Sequence, residues 1–524
     1  MSSEHPVDIA ARAAEQHVVV IGGGIGGLVA ARECAKVGMR VTLLEAEEQL
    51  GGSIRTTELD GVIVDAGAES FATRGGHVRA LVDELGLSDA VVPPEGGGAW
   101  LSGIPGAPDA PLPKGGLLGI PANPFQEDVR AIIGWRGVWR AYLDRLRPPL
   151  TIGHQQSLGR LVTTRMGARV RDRLVAPVTA GVYSALPEDV DVEIAAPGLS
   201  AALTRVGSLS GAVLALQGDR AGKTPGAAVL GIDGGMGRIV EALRDELALF
   251  GAVVRTGTRA VRLDRSGEGW TVAFEELDTV ASAASESDAA ESDAAESGAA
   301  GGDDTLVTPD APAPDAPAPD AREPLTATAV VIATAEPSAR ALLAPHVTGL
   351  SDPGAAPEIE IVTLLLDAPE LDSAPRGSGV LTVPGSHTAK ALTHSTAKWG
   401  WLRRAANGRH VVRVSFGTQG EAAATAPLDD DAAARLALSE ASALLGVRLR
   451  PEQLRASHRA RFVQSQPTSL IGATERRAAV REAVRNTPRL AVVGAWLAGT
   501  GLAQVVPDAA EEADRLRSQL LWAR

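Results

Sequence analysis

One cysteine, Cys34, is present in the 524 residues, so no internal disulfide can form. It lies in an apolar, helix-like run and reads as a small buried hydrophobe rather than a reactive thiol. Lysine is nearly as scarce, with 5 against 45 arginines, a bias of codon usage more than of function. Basic excess is absent as well. The net charge is −14, and residues 275–323, with fourteen acids and one Arg, hold −13 of it. The remaining chain is close to neutral, which excludes an electrostatic footprint for nucleic acid. No run approaches the ~18 apolar residues of a membrane-spanning helix. The first sixteen residues are polar and lack the apolar stretch of a signal peptide. These absences point to a cytoplasmic, reducing setting. The nine histidines show no paired metal or triad spacing, so no metal is expected and no acid–base residue is named.

What is present is a chain of ordinary globular composition, 45% hydrophobic and 22% charged, long enough for two or three domains. The N-terminal third alternates strand-like and helix-like patterns. VVVI at 18–21 and VTLLE at 41–45 read as buried parallel strands, with a crossover helix from Leu28 to Val37 between them. Residues 125–215 read as mostly helical. There Ile132, Trp135, Trp139, Tyr142, Leu143 and Leu146 fall at helical spacing, with Arg136, Arg140, Arg145 and Arg147 between them. Such a basic, Trp-bearing helix either packs on its own domain with Arg facing water or lies on a membrane surface as a peripheral contact. Residues 252–276 alternate like antiparallel strands. The acidic, Pro-rich repeats that follow bury too little apolar surface to offset chain entropy and read as a disordered spacer inserted in a hairpin. Later segments mix strands (IEIVTLLLD, HVVRVSF) with a helix (DAAARLALSEASALLG), and the chain closes on a strand, a Gly-rich turn and a long helix.

The most specific pattern is GxGxxG at Gly22, Gly24 and Gly27, directly between a strand and a helix. Gly22 permits the tight turn, Gly24 lets backbone approach a pyrophosphate, and Gly27 lets helix and strand pack closely. The helix N-terminus offers N–H donors to phosphate. Glu45 ends the second strand, placed for ribose hydroxyls and against a 2′-phosphate. A Gly pair follows six residues later with Arg55 beyond it, and VVGAWLAGTG near the C-terminus offers a second glycine turn. This two-ended arrangement favours FAD over NAD. No second dinucleotide site is visible, so the flavin would be reduced by an organic substrate and reoxidised by oxygen or another acceptor.

The blocks DAGAESFATR, PLPKGGLLGIP, LVAPVTAGVYSALPEDVDVEIAAPGL, GIDGGMGRIVEAL, ALTHSTAKW and VVGAWLAGTGL resemble the protoporphyrinogen/coproporphyrinogen oxidase family of the flavin amine-oxidase superfamily. The resemblance covers nearly the whole chain and is strongest to actinobacterial members that act on coproporphyrinogen III. It implies an α/β fold: an FAD-binding Rossmann-like domain of the glutathione-reductase type, a mixed-sheet substrate domain and a mostly helical inserted domain. The implied division is 1–16 disordered tail; 17–95, 225–276, 324–345 and 486–524 FAD domain; 96–124 and 346–485 substrate domain; 125–224 helical domain; 277–323 disordered insertion. One non-covalent FAD and O2 are implied, with coproporphyrinogen III oxidised by six electrons to coproporphyrin III in haem biosynthesis and hydrogen peroxide released. Whether a ferrochelatase takes the product is left open.

By position, the family's FAD contacts fall on Gly22, Gly23, Gly24, Ile25, Gly26 and Gly27, on Glu45, Gly52, Ser53 and Arg55, and on Gly67, Ala68, Glu69 and Ser70. They continue with Ala260 on the adenine side, with Phe462, and with Ala495, Thr500, Gly501 and Leu502 under the flavin. Gly181 and Tyr183 match the segment facing substrate. Arg74, Lys398, Arg403 and Arg404 are candidates for propionates, because the arginine fork suits carboxylates. The chain departs from the family pattern at Phe462, Ala473 and Ala68, where Trp, His and Pro are common. Protoporphyrinogen IX is the alternative substrate. A flavin amine oxidase, a carotenoid-type desaturase and an inactive FAD-binding homologue are further alternatives.

Overall fold

A computed structural model describes residues 6–147, 156–218, 229–277, 323–350, 358–463 and 470–522. Its central sheet has five parallel strands in the spatial order Val253–Arg255, Arg40–Leu44, His17–Ile21, Ala329–Ile332, Leu490–Val492. Within the sheet Val18–Ile21 and Ala329–Ile332 are apolar throughout because both sheet faces are covered. On one face lie the helices Ile25–Ala35, Gly237–Leu249 and Leu502–Trp522. On the other lies an antiparallel layer of Thr258–Ser266, Gly269–Glu276 and Leu325–Ala327, with Trp270 and Val272 in its core. The run 252–276, expected to be wholly antiparallel, is therefore split. Val253–Arg255 joins the parallel sheet beside Arg40–Leu44, and the hairpin begins only at Thr258.

The crossover helix starts at Ile25 rather than Leu28, immediately after the glycine turn. Its buried Arg32 pairs with Glu246, Glu84 and Glu33, which locks it to the Gly237–Leu249 helix. The N-terminal segment read as a disordered tail is helical over Pro6–Glu15, and Ala13 is fully buried against the first core. Its small alanines allow close packing, a signal that its polarity hides. The acidic insertion, apart from its edge residues, lies outside the described residues.

A second sheet has seven strands in the order Leu454–Val463, Glu358–Leu366, His410–Phe416, Ala391–His394, Gly379–Thr382, Ala99–Ser102, Ala110–Pro111. All pairs are antiparallel except Gly379–Thr382 with Ala99–Ser102. The helix Asp430–Leu445 covers one face, its first turn capped by Asp429 on the Ala432 N–H at 2.7 Å.

Helices from Glu127 to Gly218 surround a third core containing Ile132, Val162, Leu199 and Val213. Within this layer Thr179–Tyr183 winds as a π-helix and ends at Ser184, which adopts a left-handed φ of 54°. The helix Glu127–Tyr142 is not the uninterrupted amphipathic rod its spacing predicts. Gly134, at φ 67°, breaks it and turns Trp135 and Trp139 outward, 56% and 55% exposed. Arg140 turns inward instead and donates to the Arg165 and Thr164 carbonyls, both at 2.9 Å. Among the described residues no single helix is long and apolar enough to cross a membrane.

Candidate functional site

The first glycine turn leaves the C-terminal edge of the central sheet. The Gly22 N–H donates to the Leu44 carbonyl at 2.7 Å, and Gly22 has φ 108°. A Cβ on Gly22 would lie 2.7 Å from the Ala333 backbone, and one on Gly27 would run into the Gly22 carbonyl. These two glycines serve the protein's own packing. Gly24 differs: the nearest atom to a Cβ there is Gly52 Cα, 4.0 Å away. The space over Gly24 is open to a ligand. Glu45 is fixed beside it, its Oε2 accepting the Gly23 N–H at 2.6 Å and its Oε1 the Glu47 N–H at 2.9 Å.

Further segments close on this turn. The Gly51 N–H donates to the Gly23 carbonyl at 2.8 Å, next to Gly52 at φ 61°. The Ala68 N–H donates to the Ser53 carbonyl at 2.9 Å, and the Ala66 N–H to the Arg55 carbonyl at 2.8 Å. The Arg55 guanidinium sits 3.8 Å from Glu47. Phe462 packs its ring against Gly67. Gly26 faces Gly494, after which come Ala495 and then Thr500, Gly501 and Leu502, where the long last helix begins. The Thr258 N–H donates to the Glu45 carbonyl at 2.8 Å, which brings the strand bearing Ala260 to the Glu45 end. Sequence positions from 22 to 502 thus meet around one cleft. One buried polar atom next to the turn, Thr334 Oγ1, has no hydrogen-bond partner. Open room over Gly24, turn amides, a fixed carboxylate and an orphaned hydroxyl fit a dinucleotide.

A buried charged seam joins this cleft to the seven-stranded sheet. Glu69 receives Lys398 Nζ at 2.5 Å, Arg413 Nη1 at 3.0 Å and Ser395 Oγ at 3.0 Å. Burial pushes the Glu69 carboxyl up, but Lys398 and Arg413 outweigh it and hold it down at about 2. Arg413 also donates to the Ala66 and Gly67 carbonyls. Ser70 follows Glu69 at the start of the strand Phe71–Ala72. Sequence reasoning missed Arg413. Its signal was a lone arginine inside the apolar strand HVVRVSF, where a charge is kept only if paired.

The expected propionate ligands are mostly engaged elsewhere. Lys398 is spent on Glu69, Arg403 pairs with Glu95 at 2.6 Å, and Arg404 with Asp233 at 2.9 Å. Arg74 is exposed, and no described acid pairs with it. Gly181 lies in the π-helix against Leu381, where a Cβ would come within 2.6 Å of Leu381 Cδ2. The Tyr183 backbone ends the same π-helix, and its side chain lies outside what is described. An apolar cavity of about 210 Å³ adjoins this helix, lined by Leu118, Pro121, Leu174 and Val178 among others. Ala473, at the family's His position, is buried in the helical core rather than in the cleft.

Comparison with known proteins adds three findings. The family described as flavin containing amine oxidoreductase matches residues 25–516. Several proteins named coproporphyrinogen III oxidase are similar along almost the full length of both partners. One from Propionibacterium freudenreichii is 26% identical over 97% of this chain and 92% of its own, and one from Mycobacterium leprae is 27% identical over 96% and 98%. A solved structure from Exiguobacterium sp. 255-15, named provisionally a protoporphyrinogen oxidase, matches with a TM-score of 0.76 at 21% identity, covering 96% of this chain and 99% of that one.

Proposed function

This chain belongs to the flavin containing amine oxidoreductase family, and from that premise we propose that it oxidises coproporphyrinogen III to coproporphyrin III for haem synthesis, with FAD as cofactor and O2 as acceptor. The observation that carries the reading is end-to-end similarity to relatives named for that substrate. Bound FAD would supply hydride acceptance and the return of electrons to oxygen. Three two-electron cycles take six hydrogens from the macrocycle and turn three O2 into three H2O2.

The chain's own residues bind and orient. The amides around Gly24 would hold the pyrophosphate, and the remaining lone pairs of Glu45 would accept from ribose hydroxyls. Glu69, Arg413 and Lys398 hold the Gly67–Ser70 turn against the seven-stranded sheet, a fixed wall that a bound flavin ring would meet. Gly181 keeps the facing helix close, without a side chain between. No acid–base residue is required.

The test is aerobic: the purified protein with coproporphyrinogen III and, separately, protoporphyrinogen IX, followed by porphyrin fluorescence. The first substrate should rise much faster. A preference for the second keeps the chemistry and moves the substrate. Silence with both, in a protein loaded with FAD, ends the reading in favour of an amine oxidase or an inactive homologue.

Peripheral membrane contact belongs to the same proposal. Trp135, Trp139 and Leu146, the last 75% exposed, stand beside Arg130 and Arg145. Anionic liposomes should carry the protein upward in flotation, and replacing both tryptophans with Ser should abolish that. Absence of flotation by the unaltered protein removes the contact.

A further inference from the structure

Lys390 has the environment of a ligand-binding cation. It is 9% exposed, and its Nζ donates to Ser184 Oγ at 2.7 Å. Among the described residues no acid lies within ion-pair distance of it. Burial alone pulls its pKa down to about 7. A buried ammonium without a counter-charge is costly, because neither water nor a carboxylate solvates it.

Its neighbours are equally unusual. Ser184 bears a side chain yet sits at φ 54°, a strained backbone of the kind that gathers at ligand clamps. It is held from two sides, by Lys390 on its hydroxyl and by the Gln419 N–H on its carbonyl at 3.0 Å. The Gln419 Oε1 is itself buried without a partner. Ser184 directly follows the π-helix that carries Gly181. That helix abuts Leu381, which lies opposite Ala391 in the sheet, next to Lys390. Lys390 therefore enters the seam between sheet and helical layer at the level of Gly181.

We propose that the Lys390 ammonium, with Ser184 beside it, is a specificity-determining subsite that receives one propionate carboxylate of the tetrapyrrole. This rests on the substrate reading above. One of its three N–H groups is spent on Ser184, which leaves two for a carboxylate. The carboxylate would supply the missing counter-charge. The four arginine and lysine candidates read from the sequence do not include this residue, and three of those four are already paired with acids.

The experiment is a fluorescence titration of the FAD-loaded protein with coproporphyrin III and with its tetramethyl ester in mild detergent. It compares the unaltered protein with Lys390→Met and Lys390→Arg. Lys390→Met should weaken coproporphyrin III binding roughly tenfold or more, the value of a lost charge-assisted hydrogen bond. It should leave ester binding unchanged, raise KM with little change in kcat, and melt no lower than the unaltered protein. Lys390→Arg should keep most of the affinity. Equal binding of coproporphyrin III by Lys390→Met and the unaltered protein overturns the subsite. So does equal weakening of acid and ester, or a lowered melting point, since either marks a structural role. If the unaltered protein binds no porphyrin and oxidises no porphyrinogen, the substrate reading falls first and the subsite with it.

Discussion

Gly24 and Gly27 lie three residues apart and answer to different partners. A methyl group at Gly27 meets the protein's own Gly22 carbonyl, whereas one at Gly24 meets nothing closer than 4.0 Å. Gly24 also has an ordinary φ of −67°. Gly24→Ala should therefore fold, with stability within about 1 kcal/mol of the unaltered protein, but lose most of its flavin absorbance. Gly27→Ala should fail to fold or lose several-fold in soluble yield. If Gly24→Ala kept full flavin content, the pyrophosphate would not pass over that turn. Glu69 makes a second residue-scale prediction. Its folded carboxyl is held at about 2 against a reference of 4.5. The stability it contributes is complete above about pH 4.5 and is lost as pH falls toward 2. Glu69→Gln strands Lys398 and Arg413, at a cost of about 3–5 kcal/mol near neutrality. Urea melts at pH 7 and pH 3 should show that gap closing in acid. The glycines were legible because each has a local reason in its own turn. Arg413 was not, since its partner Glu69 lies 344 residues away and nothing local marks the pairing.

Elements were legible where one periodicity ruled them. The apolar runs at 18–21 and 41–44, and the helix Asp430–Leu445, follow from patterns of a few residues. The reading failed where a single backbone angle overrides the pattern. Trp135 and Trp139 keep helical spacing with Ile132, yet Gly134 rotates them away from the buried face. Gly134 combines φ 67° with ψ 166°, a region essentially reserved for glycine, so replacing it with Ala should cost about 1–3 kcal/mol. The relaxation toward a regular helix should also shift tryptophan emission. Unchanged stability and emission would show that the break does not depend on glycine. The helix Pro6–Glu15 was missed for another reason. Its stability comes from docking on the last helix, which short polar segments do not announce.

At the scale of the molecule, the acidic segment opens from one hairpin. Gly269–Glu276 and Leu325–Ala327 are hydrogen-bonded neighbours, Val272 opposite Leu325, with the insertion between them. Deleting residues 280–320 leaves both strands and their partners in place. Shortening such a loop stabilises by about 2 kcal/mol at most, so activity and flavin content should persist and the melting point should hold or rise. Lost activity would assign the segment more than a spacer's role.

The order of strands in the central sheet bears on how the protein is made. Its fifth strand, Leu490–Val492, lies against Ala329–Ile332, and the glycine turn at 494–501 faces the one at 22–27. During synthesis the first glycine turn is made long before the opposite wall of its cleft. Until then Ala329–Ile332 is an open, fully apolar edge, the kind of surface that chaperones cover and that aggregates when they do not. Chains interrupted before residue 490 carry the nucleotide motif intact yet lack the far side of the cleft. Such fragments should hold no flavin although they display the same fingerprint, so flavin content would report whether the far side of the cleft is in place.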